Sequence, residues 1–217
     1  ATQMKLFNER VLPTLDSNIK DGNSLIDTDF YDSQLDFGEE KKIKPFSWIK
    51  GFSEVFKQGG FDCVIGNPPY ALIGSDRKIE QDYFTSGRYK FNAYKINLYI
   101  LFLEKGLGLL KHDGILGYII PKSLVFNTYF DSTRKTILKE YCIPSIVEIR
   151  EKVFEDAEVG DSILFFGQKS ANPSKNSLNY YKVENIYPEF KTIASFRTYQ
   201  NILLNEYDGR FFPTEIK

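Results

Sequence analysis

Cys63-Val64-Ile65 is an apolar run too short for a helix, bounded by Gly66 and by Pro68-Pro69. The pattern predicts a buried strand that ends abruptly in a rigid loop. Upstream, apolar positions at Phe46, Ile49, Phe52, Val55 and Phe56 have helical spacing, and Gly59-Gly60 ends that helix before the strand. Downstream, Ile96, Tyr99, Ile100, Leu103, Leu107 and Leu110 predict a helix from Lys95 to Lys111. Asp113-Gly114 then introduces a strand over Ile115–Ile120, closed by Pro121. This crossover unit should place its strand parallel to the first. A helix over Asn127–Tyr141, a strand over Ile143–Ile149 and an apolar strand through Ile163–Phe166 follow, then an exposed turn at Ser170–Ser177, a strand over Leu178–Val183 and a helix over Thr192–Asn205. Before Phe46 the spacing predicts a helix over Lys5–Leu12, a short strand at Ser17–Lys20, and an exposed or mobile loop over the charge-rich Asp27–Lys44. Strands alternating with helices give an α/β fold.

The loop after the first strand carries chemistry. Pro68 fixes its own φ and pushes Asn67 towards an extended backbone, and two consecutive prolines remove two N–H donors. The rim is therefore rich in acceptors: the Asn67 side-chain oxygen and the carbonyls of the Pro-Pro segment. An amino group conjugated to a ring is a poor nucleophile because its lone pair is delocalised. Two acceptors holding its hydrogens favour a pyramidal nitrogen and free the lone pair. Tyr70 adds a ring face for a planar base, worth about 1–3 kcal/mol per stacked base. The plain alternative is a strand-ending turn with a surface tyrosine.

Phe61-Asp62-Cys63-Val64-Ile65-Gly66-Asn67-Pro68-Pro69-Tyr70 resembles the catalytic motif of DNA methyltransferases that modify the N6 amine of adenine, and most of all the type IIG branch fused to restriction endonucleases. With weaker motifs the resemblance runs from about Asn18 to Lys169. It implies a Rossmann-like class I fold with S-adenosylmethionine as methyl donor and double-stranded DNA with a flipped adenine as substrate. The catalytic set it implies is Asn67, Pro68, Pro69 and Tyr70, with the amine held by Asn67 and Pro68 and the base stacked on Tyr70. It places Phe154 as a second aromatic closing a sandwich on the base, Asn97 in the pocket wall, and Asn23 against the cofactor's adenine. The residues alone also read Phe154 as core, Asn97 as a helix-start polar residue and Asn23 as part of a tight turn. Lys122, after the second strand at the sheet's functional edge, is a candidate phosphate contact.

The first glycine is Gly22, and Gly106-x-Gly108 falls inside a helical pattern, so no glycine-rich turn follows a strand and opens a helix. The chain thus reads as the catalytic half of a larger enzyme, with the first βα units and the main cofactor loop elsewhere. Residues 1–170 are the expected catalytic half and 171–217 a connector towards a target-recognition domain. On its own such a piece is expected to be inactive, a binding or scaffold module of its parent. A glutamine methyltransferase of the release-factor type shares the Asn-Pro-Pro-Tyr loop and is the other enzymatic reading, but the long region downstream favours DNA.

Composition trims these readings. With 42% hydrophobic residues over 217, the chain can bury one sizeable core. No apolar run approaches a membrane span and the start lacks a signal-peptide pattern, so a cytoplasmic protein is expected. A net charge of −1 weakens autonomous DNA binding, which needs a local excess of cations, without touching the active-site chemistry. Between Ala71 and Lys95, however, basic residues interleave with Tyr83, Phe84, Tyr89, Phe91 and Tyr94, which suits phosphate contacts or, equally, a solvated loop with its aromatics packed below. The acidic run Glu155, Asp156, Glu158, Asp161 reads as a solvated, hairpin-like loop. Cys63 and Cys142 are expected to be buried free thiols, and a metal site is not expected with His112 as the lone histidine.

Overall fold

The computed structural model describes residues 18–33, 40–91, 96–150, 161–184 and 190–211. It divides into two compact units, residues 1–53 and 54–217.

In the first unit, the turn at Asn23 and the stretch before the first long aromatic cluster are held together by backbone. Asn23 N–H donates to Lys44 O at 2.7 Å and Phe46 N–H to Ile26 O at 2.8 Å. The segment 28–33 forms a 3₁₀ turn with Phe30 buried, and Glu40–Ile43 (α1) is a single helical turn. The loop expected over Asp27–Lys44 is therefore partly ordered, because Phe30 needs a buried seat. The helix expected over Phe46–Phe56 is two, Trp48–Gly51 (α2) in this unit and Ser53–Lys57 (α3), nearly all of it in the second, broken at Phe52 with φ −130° and ψ 48°. Phe52 leaves the helical path with its ring stacked on Trp48, 5.7 Å between centroids. Asn18–Lys20 is exposed and not a strand, while the helix expected at Lys5–Leu12 lies outside the described residues.

The second unit is built on Phe61–Gly66 (β1), Lys78–Tyr83 (α4), Leu98–Leu109 (α5), Leu110–Pro121 (β2), Ser123–Phe126 (α6), Asp131–Glu140 (α7), Cys142–Ile149 (β3), Ser162–Gln168 (β4), Ser177–Val183 (β5), Thr192–Tyr199 (β6) and Gln200–Asn205 (α8). Among the described residues six strands form one sheet in the order β1-β2-β4-β3-β5-β6. β2 runs parallel to β1, as the crossover predicts, and β5 parallel to β3, while β4 and β6 are antiparallel to their neighbours. The carboxyl ends of β1, β2, β3 and β5 therefore share one edge. The expected connector from residue 171 onward begins as two strands of this same sheet.

Alternation along β2 sends Leu116, Tyr118 and Ile120 to one face, where they meet Tyr99, Leu103 and Leu107 of α5 and Ile137 and Leu138 of α7. Each such aliphatic side chain contributes about 1.5–3 kcal/mol on burial. Gly106 makes the close approach possible: a Cβ there would stand 2.6 Å from both Leu116 Cδ1 and the Tyr118 hydroxyl. The other face carries a smaller cluster of Val147, Ile149 and Val183, and at β1 it leaves Ile65 86% exposed. Cys63 lies on that open side and is exposed, against the expectation of a buried thiol; Cys142 is buried, and both are free.

Two further expectations change. Thr192–Tyr199 is a strand rather than the start of a helix, because its β-branched and aromatic residues pair with β5 and Phe196 stacks on Tyr180 at 5.1 Å; the helix begins at Gln200. Strand β2 starts at Leu110, which pairs with Phe61, so His112 sits in a strand and not at a helix end.

Candidate active site

Strand β1 delivers its loop to the carboxyl edge of the sheet, where open α/β sheets bind ligands. Asn67 is exposed, Pro68 buried, Pro69 exposed and Tyr70 half-buried. The loop thus has a fixed base and a presented acceptor. Tyr70 is pinned at both ends of its side chain: its hydroxyl donates to Ile119 O at 2.8 Å, and its ring meets Tyr99 edge-on at 6.2 Å. Burial raises the Tyr70 phenol above its ordinary pKa, and the nearby Ser162 side chain offsets part of the rise. Tyr99, deeper still, touches Phe130 at 5.9 Å and shares a hydrogen bond with Ser123 Oγ at 3.2 Å.

The exit from the loop is zipped to the entrance of α5. Leu98 N–H donates to Ala71 O at 2.9 Å, Ile73 N–H to Ile96 O at 3.0 Å, and Leu72 bridges Asn97. Asn97 therefore sits beside the segment by which the chain leaves the Asn67–Tyr70 loop. It occupies the N-cap position with an extended backbone, but its side chain makes no cap bond; its backbone carbonyl accepts from Ile100 and Leu101 instead. Its Oδ1 is buried with no hydrogen-bond partner among the described residues. An acceptor in that condition costs about 1–3 kcal/mol, so it is an unusual thing to keep without a ligand or a moving partner to meet it.

Lys122 follows β2 at the same edge, but its ammonium is engaged. It donates to Glu148 Oε1 at 2.7 Å and Asp161 Oδ2 at 3.2 Å, and its backbone N–H donates to Asp161 O at 2.9 Å. Glu148, buried on β3, also accepts from the Tyr180 hydroxyl at 2.8 Å. Burial by itself would lower the Lys122 pKa, but the two carboxylates outweigh it and the net shift is upward. A phosphate arriving here would have to compete with both carboxylates.

The remaining expected residues are distributed as follows. Phe154, with Glu155, Asp156 and Glu158, lies outside the described residues; Asp161 is exposed and paired with Lys122. Asn23 belongs to the first unit, and the oxygen that would face the cofactor's adenine accepts the Leu25 N–H at 3.1 Å, the geometry of a tight turn. In the basic, aromatic segment Tyr83, Phe84, Tyr89 and Phe91 are buried, Arg77 pairs with Glu80, Arg88 lies over Tyr83, and Lys90 pairs with Glu140, while Tyr94 lies outside the described residues. Glu104 fixes the end of this segment, accepting from Lys90 N at 2.8 Å and Phe91 N at 2.8 Å, and burial pushes its carboxyl above the usual range. The partners Ile119 of Tyr70 and Glu148 of Lys122, and Tyr180 that supports Glu148, were not legible as site residues. Glu148 alone left a signal, a charge inside an apolar strand, which demands a buried counter-charge.

This chain is similar to proteins of DNA restriction and modification. The family described as Eco57I restriction-modification methylase matches residues 2–154. RM.MjaORFECS2P of Methanocaldococcus jannaschii, named for a type II restriction enzyme and methyltransferase, is 31% identical over 180 residues, covering 81% of this chain and 14% of that protein. The Escherichia coli type II restriction enzyme and methyltransferase RM.Eco57I is 28% identical over 179 residues, 80% of this chain and 16% of that one. The chain thus spans about one-sixth or less of the length of these relatives. Among solved structures, the type IIG restriction endonuclease BpuSI superposes with a TM-score of 0.52 at 17% identity, covering 71% of this chain and 21% of that one. A DrdV–DNA complex gives 0.51 at 19% identity, with 82% and 21% covered. At these identities the likeness is one of fold, and the α/β class read from the chain holds. Among the described residues no helix is long and apolar enough to cross a membrane.

Proposed function

The chain belongs to the Eco57I restriction-modification methylase family, and from that premise we propose that its Asn67–Tyr70 loop is the target-base site of a DNA methyltransferase acting on the N6 amine of adenine, with S-adenosylmethionine as donor. The observation that carries this reading is the mounting of the loop: Asn67 exposed at the carboxyl end of a parallel strand, Pro68 buried beneath it, and Tyr70 anchored through its hydroxyl.

In this reading double-stranded DNA is the substrate and the target adenine is flipped out of the stack, which costs a few kcal/mol. Tyr70 receives one face of the base and Phe154 the other. Asn67 Oδ1 and the carbonyl of Pro68 accept the two amino hydrogens, which turns the nitrogen lone pair out of conjugation. Pro69 stiffens the turn so that the acceptors need not reorganise as charge develops. Asn97, with its unpaired buried oxygen, supports the wall behind the loop. S-adenosylmethionine, when bound, supplies an electrophilic methyl carbon. Methyl transfer is an in-line displacement, so this chain's task is positioning, and a strong general base is not required. The remainder of a longer polypeptide would complete the cofactor site and read the DNA sequence.

The test uses duplexes with one unpaired base and fluorescence anisotropy. An unpaired adenine should bind about tenfold or more tightly than an unpaired cytosine, the size expected for losing a matched hydrogen-bonding edge. Asn67→Ala should erase that preference. Equal affinity for both bases, or a preference that survives Asn67→Ala, sinks the assignment. Where methyl transfer proceeds, nucleoside digestion should place the label on adenine N6. Label on a glutamine of a protein acceptor would identify the release-factor-type activity instead.

A further inference from the structure

We propose that Lys122 is a positioning residue for Tyr70, acting through the strand ends of β2 and β4 rather than by touching DNA. This rests on the reading of Tyr70 as the base-stacking residue. The geometry starts from the register: Pro121 pairs with Ser162 and Ile119 with Leu164, so the end of β2 and the start of β4 lie side by side. Tyr70 is attached to β2 by its hydrogen bond to Ile119 O, and Ile119 pairs with Leu164 of β4. Lys122 closes that pair of ends three residues beyond the Ile119 attachment. Its backbone N–H and its ammonium both hold Asp161, the neighbour of Ser162, and its ammonium also reaches Glu148 on β3.

The burial of the three charges gives the clamp its direction. Glu148 is 7% exposed and Lys122 24%, while Asp161 is 58% exposed. A buried carboxylate fixed by Tyr180 and Lys122 forms the rigid inner half. Asp161 is the outer half; through Ser162, which pairs with Pro121, it fixes the end of β2 and so the Ile119 carbonyl that holds the Tyr70 hydroxyl. A lysine whose charge is spent on two carboxylates is poorly placed to neutralise phosphate, and well placed to hold three strand ends at one spacing.

Ring-¹³C-tyrosine NMR on the full 217-residue chain tests this without any substrate, with the Tyr70 signal assigned by its loss in Tyr70→Phe. Lys122→Met should move or broaden the Tyr70 signal while those of Tyr129 and Tyr207 stay in place, and Lys122→Arg should restore it. Asp161→Asn loosens the outer half without stranding Glu148, so it should reproduce the Tyr70 change even if Lys122→Met folds poorly. An unmoved Tyr70 signal in Asp161→Asn overturns the proposal. A second arm measures binding of the unpaired-adenine duplex. Asp161→Asn should weaken it about fivefold, and by less than twofold in a Tyr70→Phe background, where the hydroxyl anchor is already gone. Equal weakening in both backgrounds overturns the route through Tyr70. If no variant of this chain prefers adenine while the NMR change appears, the base-site reading fails and the positioning role stands.

Discussion

The two ends of the sheet differ in whether every buried polar side-chain atom has a partner among the described residues. At the amino end of β3, Gln200 is fully buried and every polar atom of its side chain is used. Its oxygen accepts from Ile143 N at 2.5 Å and Asn176 Nδ2 at 2.6 Å, and its nitrogen donates to Leu138 O at 3.0 Å and Tyr141 O at 2.9 Å. At the carboxyl end, the buried side-chain atoms left without a partner among the described residues are Asn97 Oδ1 and Arg134 Nε. Arg134 is itself buried there, spending its other nitrogens on Leu124 O, Asn127 O and Asp131. A saturated network specifies structure, whereas an unpaired buried acceptor such as Asn97 Oδ1 is what the proposed base site would offer a ligand.

The strongest way to break this contrast is Gln200→Ala. It strands the Ile143 N–H and two carbonyls in the interior, and should cost about 3–5 kcal/mol in urea unfolding at constant m. Asn67→Ala at the opposite end, with its side chain in solvent, should change stability by less than about 0.5 kcal/mol while removing base preference. A Gln200 loss as small as that of Asn67 would mean that both ends are equally plastic.

Asn97 sharpens the comparison because function and stability should move in opposite directions. Asn97→Leu removes an unpaired buried acceptor and costs no cap bond, since the side chain makes none. Unfolding should be unchanged or up to about 1 kcal/mol more favourable to the native state. Binding of the unpaired-adenine duplex should weaken in the same variant, which is the trade-off expected of a site residue. A clear loss of stability would make Asn97 an ordinary structural residue.

What the chain declares about itself follows the same division. The loop was legible because its constraints are local: an apolar triplet, a glycine and two prolines fix a strand and a turn within ten residues. The parallel crossover was legible because helical and strand periodicities abut at Asp113-Gly114. What was not legible depends on contacts far apart in sequence. Phe52 breaks a helix to stack on Trp48, and Thr192–Tyr199 becomes a strand because β5 offers it an edge. Cys63 is exposed because it lies on the open side of β1. Lys122 invited a phosphate by its place after β2, yet the two carboxylates that claim it lie 26 and 39 residues away in the chain. Edge residues with a charge are ambiguous until their long-range partners are known.

The smallest predicted effect is at the sheet's outer strand pair, where Lys111 of β2 reaches Asp62 of β1 across the surface. Its hydrogen bond and then its charge hold the Asp62 carboxyl below the usual carboxylate range. A depressed folded-state value makes the contribution present above the ordinary Asp pKa of about 3.9 and progressively lost as pH falls through the folded value. The thermal midpoints of wild type and Asp62→Asn should therefore differ slightly at neutral pH and low salt, and converge both on acidification and on raising the salt concentration, since an exposed pair is screened. A difference that persists under both conditions would show that Asp62 supports β1 by something other than charge, and the edge that carries the Asn67 loop would then owe its position to packing.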